Sequence, residues 1–313
     1  MKPLTGLAAG IAGLALAAPA GAAELPKTLA WTAYDVGSAG YNQSVAVGAA
    51  LKNKMNVTLR VLPGKNDVSR LVPLRDKKVD FSAFGIGGYQ ALEGSFVFGQ
   101  KEGGPQAIRL LSMSNSGSCN TLMMAGDVEM KSYADLKGKR VAQIKGSPAI
   151  NNLTYAYLRF GGLNWSDVKI VEFGGYGASM DAVLENTNTA SGFATKIAAG
   201  PRGSQYVPAP HSDAAAWARM KEVAPWFYPK MCSEAPGLKA PFEAADYPYP
   251  ILITYDWQDA DKTYAMTKAM FDLYPDYKDS APGASGWGLE QQVMEWVIPY
   301  HEGAIRYYKE VGK

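Results

Sequence analysis

Residues 35–44 read DVGSAGYNQS and directly follow the apolar, β-prone run TLAWTAY. Two glycines, two serines, a tyrosine and an asparagine just ahead of a helix-like stretch can cradle an anion. The first turn of a helix presents unpaired N–H groups and the positive end of its dipole. Ser38 and Tyr41 can offer hydroxyls there, and Asn42 an amide. Asp35 admits two uses, accepting bonds from a ligand or bracing the loop, and bracing is the commoner employment of aspartate in turns. Tyr34, at the end of the strand-like run, suits the core as well as it suits a ligand. An ordinary turn uses the same residue types, so the loop gains meaning only from its counterparts elsewhere in the chain.

Four such counterparts exist. In PGKNDVSRL, Asn66 or Asp67 can cap the following helix, while Lys65 places a positive charge beside that helix start, either for a carboxylate or simply for water. GIGGYQ, residues 85–90, can bring bare backbone close to a ligand because glycine, Gly87 among them, lacks the obstructing Cβ. KGSPAINN, 145–152, repeats the strand–loop–helix pattern, with Ser147, Asn151 and the N–H groups around Ala149 as candidates and Pro148 suited to an early helical position. Simple capping by Ser147 is the competing reading. FGGYGAS, 173–179, can supply Tyr176 as a wall or hydroxyl donor. Beyond it, Thr195 and Arg202 follow the strand-like ASGFAT, and Arg202 would fork a carboxylate if it faced inward.

Reactive chemistry finds less support. The chain has two histidines, His211 and His301, and two cysteines, Cys119 and Cys232, with none of the spacing that metal sites use. No nucleophile–base pair is identifiable, so neither a cofactor nor a metal is expected, although two carboxylates meeting in a cleft could still make an enzyme. In an oxidising compartment an isolated cysteine pair most simply forms one disulfide, contributing about 4 kcal/mol if unstrained; two separate buried thiols are the alternative.

The elements that would position these loops alternate. Strand-like TLAWTAY, VTLRVLP and VDFSAFG enclose NQSVAVGAALKNKM and DVSRLVPLRDKK, whose apolar residues recur at helical spacing. This alternation implies βαβ units and a parallel sheet, with the loops of interest at the strands' C-terminal ends. A second series begins near residue 120 with CNTLMMAG, KRVAQIKG, VKIVEFGG and TASGFAT, and helices at NNLTYAYLRFGG and GASMDAVLEN. Two α/β lobes with a cleft between them follow: 24–120, then 121–248, then a return to the first lobe over 249–313. YPYPILITYDW reads as the returning strand. Two helical stretches come after it, the second spanning EQQVMEWVIPYHEGAIRYYKEVG with Pro299 as its breaker. Residues 200–248 show no clear period.

The start of the chain speaks to compartment. Met1 and Lys2 precede a small-residue-rich apolar run that ends in GAA before Glu24, the pattern of an export signal cleaved near Ala23. The remaining residues suffice for two lobes with their own cores. A net charge of +2 advertises neither nucleic acid nor an anionic membrane. The 18 tyrosines and 7 tryptophans suit small-molecule binding, and cores equally.

Taken in order, the Gly/Ser loop ending in tyrosine, LVPLRDKKVDFSAFG, SYADLKGKRVAQIKGSPAINN and the terminal PYHEGAIRYYKEVG resemble the TAXI family of TRAP-transporter solute receptors. DLKGKRVA and HEGAIRYYKE carry most of the likeness, which extends over about 25–313. The resemblance implies a type II-like, two-lobed periplasmic binding protein fold, each lobe a mixed sheet flanked by helices. It also implies a small organic anion as ligand, often an amino- or oxo-dicarboxylate, and delivery to TRAP membrane subunits. The chain departs from the family at its loops: Gly40, Tyr41 and Asn42 replace paired tyrosines and a proline, Pro63 to Asp67 replace a Ser-Thr-Gly-Gly-Ser run, and Gly85, Ile86 and Gly87 replace Gln-Ser-Asp. Hydroxyls and a carboxylate have given way to apolar and small groups, so the ligand need not be the usual one.

The function expected is therefore capture without chemistry by a periplasmic, monomeric solute-binding protein, its lobes closing about hinges near 119–122 and 249–254. An ABC-importer receptor for a pyrimidine precursor or sulfonate is the rival with the same fold, and a periplasmic enzyme the rival of another class.

Overall fold

The computed structural model describes residues 24–100, 103–185, 189–191 and 195–313; the expected signal segment 1–23 lies outside them. β1 (Thr28–Tyr34) lies between β2 (Thr58–Gly64) and β3 (Phe81–Phe84), parallel to both. β12 (Ile251–Tyr255) and β4 (Ile108–Met113) complete the sheet in the order β2-β1-β3-β12-β4, with β12 antiparallel to its neighbours. Side-chain alternation splits each strand between two faces. Leu29, Trp31, Leu111 and Leu252 pack under α1 (Ala39–Met55) and α9 (Ala260–Asp272), against Val47, Leu51, Met266 and Met270. Phe84, Leu110, Ile251 and Ile253 turn the other way, against Leu71 and Leu74 of α2 (Asp67–Arg75) and Tyr307 and Tyr308 of α11 (Glu302–Glu310).

Local signals set the helix ends that matter for the cleft. Ser38 caps α1, its Oγ accepting from the Tyr41 N–H, and the helix closes at Asn56 in the left-handed conformation with Lys52 and Lys54 in the last turn. Asn66 caps α2 in a reciprocal box with Ser69, fixing where Asp67 and Arg70 point. Short helices α3 (Gly87–Leu92) and α4 (Val97–Gln100) lead into β4.

The second lobe repeats the plan. β5 (Leu122–Ala125), β6 (Arg140–Ile144), β7 (Lys169–Phe173), β8 (Thr189–Ser191) and β9 (Ser204–Gln205) pair in the order β7-β6-β8-β5-β9, and β5 runs against β8 and β9 as β12 does in the first lobe. α5 (Pro148–Phe160) and α6 (Tyr176–Glu185) cover it, burying Leu153, Tyr157, Met180 and Val183 against Leu122, Met124, Val141 and Ile144. α7 (Thr195–Ala198) follows β8. The aperiodic stretch 200–248 holds β9, α8 (Ala214–Lys221) and an antiparallel ribbon of β10 (Tyr228–Cys232) and β11 (Phe242–Asp246).

Between the sheets the chain crosses twice, over 114–121 and 247–250, the second a little earlier than the hinge expected at 249–254. Asn120 joins the crossings: its N–H and Nδ2 donate to Asp246 Oδ1 at 3.1 and 2.7 Å, and Nδ2 also donates to the Tyr247 carbonyl at 2.8 Å. The C-terminal helical expectation is corrected. After α10 (Tyr274–Tyr277), the α-helix begins only at Glu302, where His301 caps it by accepting from the Gly303 N–H. The earlier part of that stretch holds a 3-10 turn, Leu289–Gln291, and Pro299 disfavours helical backbone over the few residues just before it.

Candidate functional site

A narrow cavity with about 60 Å3 of open room lies between the lobes. The first lobe contributes Tyr34, Ser38, Gln43, Arg70 and Gly85, and the second Ala149, Ile150, Leu153 and Tyr176; the crossings supply Asn120, Tyr247 and Tyr249, and the end of β11 Asp246.

Arg70 is the principal charge. It is fully buried, with its guanidinium 3.4 Å from the Tyr34 ring centroid and 4.0 Å from that of Phe84. Nη2 donates to Asp67 Oδ1 at 2.7 Å and Nη1 to the Ala83 carbonyl at 2.7 Å, which leaves Nε–H without a partner. Burial works against the Arg70 charge, yet the groups packed on it, the Asp67 carboxylate among them, more than offset it and hold the group above its ordinary range. Desolvation pushes Tyr34, Tyr176, Tyr247 and Tyr249 upward, so all four present neutral hydroxyls at physiological pH. Asp246 is pushed up to about 6 by burial, which its bonds to Lys230 (2.6 Å) and Asn120 only partly counter. The cavity can thus bind an acceptor-bearing molecule between aromatic faces, using one cation and several hydroxyl and amide donors.

Helix starts of the second lobe meet carboxylates of the first. The Ala149 N–H, in the first turn of α5, donates to Asp67 Oδ2 at 2.9 Å, and Gly177 N–H, in the first turn of α6, donates to Asp35 Oδ2 at 2.9 Å. Backbone reinforces the contact: Val68 N–H bonds the Gly146 carbonyl at 3.2 Å, and Tyr176 N–H the Lys65 carbonyl at 2.9 Å. Gly146 needs its glycine, since its φ is +73° and a Cβ would come within 2.9 Å of Asn66 Nδ2.

The structure sorts the expected residues. Tyr34, Ser38, Ala149 and Tyr176 line the cavity, and Tyr34 also donates its hydroxyl to Asp67. Asp35 is a brace, but one that reaches across to the other lobe. Asn66 caps α2 and donates Nδ2 to the Lys145 carbonyl, again across the lobes. Asn42 lies at an outer hollow. Gly87 is packed against Phe84 and Asp67 behind the cavity wall. Tyr41 is half-buried outside the lining.

Four expectations are overturned. Lys65 is exposed and takes part only through its carbonyl, because the α2 cap turns its side chain to water. Arg202 forks Asp127 instead, with Nε–Oδ2 at 2.8 Å and Nη2–Oδ1 at 2.7 Å, and gives Nη1 to the Val183 carbonyl, so its donors are engaged away from the cleft. Ser147 and Asn151 face a separate groove beside Tyr155 and Trp165; Asn151 is held by the backbone of Ile144. Cys119 and Cys232 are buried free thiols rather than a disulfide, in contact with each other beside Phe242 and Ala244, and that contact together with burial raises the Cys119 thiol. Thr195 opens α7, and its side chain lies outside the described residues.

Sequence reading missed Arg70, Asp67 as a ligand-side group, and Asp246 with Tyr247 and Tyr249. The Asp67/Arg70 spacing of three in a capped helix was a usable signal, since such residues share a face. Nothing local marked Asp246, whose role depends on the crossing of two distant segments.

Comparison with protein families matches residues 54–199 to the NMT1/THI5-like family and residues 249–312 to an NMT1-like family. No curated protein matches the sequence significantly. Among solved structures, a protein from Bordetella bronchiseptica RB50 superposes with a TM-score of 0.55 at 12% identity, over 92% of this chain and 99% of its own. The alkanesulfonate-binding protein SsuA from Xanthomonas axonopodis pv. citri, bound to MOPS, gives 0.50 at 13% identity, over 81% and 74%. The chain is therefore similar in two long segments to NMT1-type families, and it has the fold of the two-lobed periplasmic binding proteins.

Proposed function

We propose that this protein is an extracytoplasmic solute receptor that closes its lobes on a small organic acid and passes it, unchanged, to a membrane transporter. The observation that carries this reading is the cavity walled by both lobes and both crossings around one fully buried arginine and four tyrosines. A ligand that touches both lobes favours the closed form by the difference between its affinities for closed and open states. An anionic group draws its support from Arg70, whose Nε–H has no partner even though Asp67 balances the guanidinium charge. Periplasmic location and a TRAP-type secondary transporter as partner rest on the resemblance of DLKGKRVA and HEGAIRYYKE. A second reading, delivery of a sulfonate or pyrimidine precursor to an ABC importer, is supported by the match of residues 54–199 to the NMT1/THI5-like family and the fold shared with an alkanesulfonate-binding protein.

Thermal-shift screening of carboxylates and sulfonates, with calorimetry on the hits, tests the reading: a true ligand raises the melting temperature, and R70M weakens it by tenfold or more, on the order of the 1.5–3 kcal/mol of a charge-assisted bond. Tight binding that R70M leaves intact would remove the acid from the proposal.

A further inference from the structure

The chamber around Arg70 has a neighbour. An outer hollow of about 440 Å3 lies against it, and Ala39 and Ser118 line both, so the two hollows are separated only by these small residues. The two ends differ in chemistry. The inner end holds Arg70, whose Nε–H is buried without a partner. The outer end is walled mainly by Ala235, Pro236 and Pro282, apolar groups that can cover hydrocarbon, with the Asn42 amide at its edge. Glu234 is the charged side chain on that wall, on a segment pinned by its N–H bond to the Gly117 carbonyl at 3.1 Å.

Resting on the organic-acid reading above, we infer that the ligand is a two-ended monoacid. Its acid group meets Arg70 among the tyrosines, and an uncharged apolar tail runs past Ala39 and Ser118 into the outer hollow. A second carboxylate at the far end of the tail would face Glu234 and lose affinity by like-charge repulsion. This specificity is the opposite of the dicarboxylate preference that the sequence resemblance implies.

Calorimetry on the full mature chain with butanoate, hexanoate and octanoate, and with the dicarboxylates of matched length, tests the inference. Each methylene buried is expected to tighten binding by up to about fourfold, so octanoate should exceed butanoate by roughly tenfold or more. Matched dicarboxylates should bind several-fold more weakly, and E234Q should narrow that gap. A235W fills the hollow, so in a variant whose melting curve shows it folded, the gain with chain length should collapse. Binding of the short acid with no gain from length, or dicarboxylates binding as tightly as monoacids, overturns the two-ended ligand while leaving the receptor reading in place. Failure of every acid in the series, short ones included, overturns both.

Discussion

The loops that open helices in the two lobes look alike in sequence and do opposite things. Those of the first lobe carry carboxylates, Asp35 after β1 and Asp67 at the start of α2; those of the second, at Ala149 and Gly177, carry only backbone N–H groups. Brought together, each carboxylate caps a helix of the opposite lobe, where the positive end of the helix dipole favours it. The comparison teaches that the amide cradle expected of the second lobe is satisfied by the protein itself in this closed form. The ligand is left to the arginine, the tyrosines and the crossings. Asp67 serves both sides of this arrangement, since it also neutralises Arg70.

Breaking that double role should have the largest effect. D67A leaves Arg70 buried without its counter-charge, and a loss of about 3–5 kcal/mol in urea unfolding is expected. A loss below about 1 kcal/mol would mean that the tyrosine and phenylalanine faces alone sustain the guanidinium.

Next is Asp246, whose carboxyl is raised from 3.8 to about 6 by burial. Because the folded state binds its proton more tightly than the unfolded chain, its stabilising contribution is whole below the unfolded value near 3.8 and is lost as pH rises through about 6. Relative to D246N, the wild type should lose up to about 3 kcal/mol between pH 4 and pH 7, read from denaturation midpoints across that range. Parallel curves for the two proteins would argue that Lys230 and Asn120 fully compensate the burial.

Removing the simpler latch should do less to stability and more to shape. D35A takes one carboxylate from the start of α6, worth about 1 kcal/mol, and should raise the ligand Kd by about fivefold while enlarging the radius of gyration of the ligand-free protein in solution scattering. An unchanged scattering curve would show that the Asp67–Ala149 and Asn66–Lys145 bonds and the backbone contacts at Gly146 and Tyr176 hold the lobes without Asp35.

The smallest effects sharpen the comparison from outside. R202A removes a fork to Asp127, and K65A an exposed side chain, so both should leave ligand affinity within about twofold. A larger loss from R202A would restore the carboxylate role that the sequence suggested.

Much of the architecture was legible because it is written in local periodicity. The run TLAWTAY alternates sides in β1, and Ser38, Asn66 and Pro148 mark the helix starts where capping chemistry puts them. Glycine-rich loops at the strand ends named Tyr34, Ser38, Ala149 and Tyr176, which line the cavity. Lys65 and Arg202 misled because a long cation close in sequence to a loop has several rotamers and many possible partners, and only packing chooses among them. Cys119 and Cys232 were rightly linked, but as touching thiols.

What the sequence by itself determined, then, is two α/β lobes and the kinds of loop that face each other, because strand alternation and helix capping act over a few residues. Tertiary structure decided which of those loops binds ligand and which binds the opposite lobe. That choice rests on contacts such as Asp67 with Ala149 and Asn120 with Asp246, separated by 82 and 126 residues, whose energies exist only once burial has stripped water from both partners.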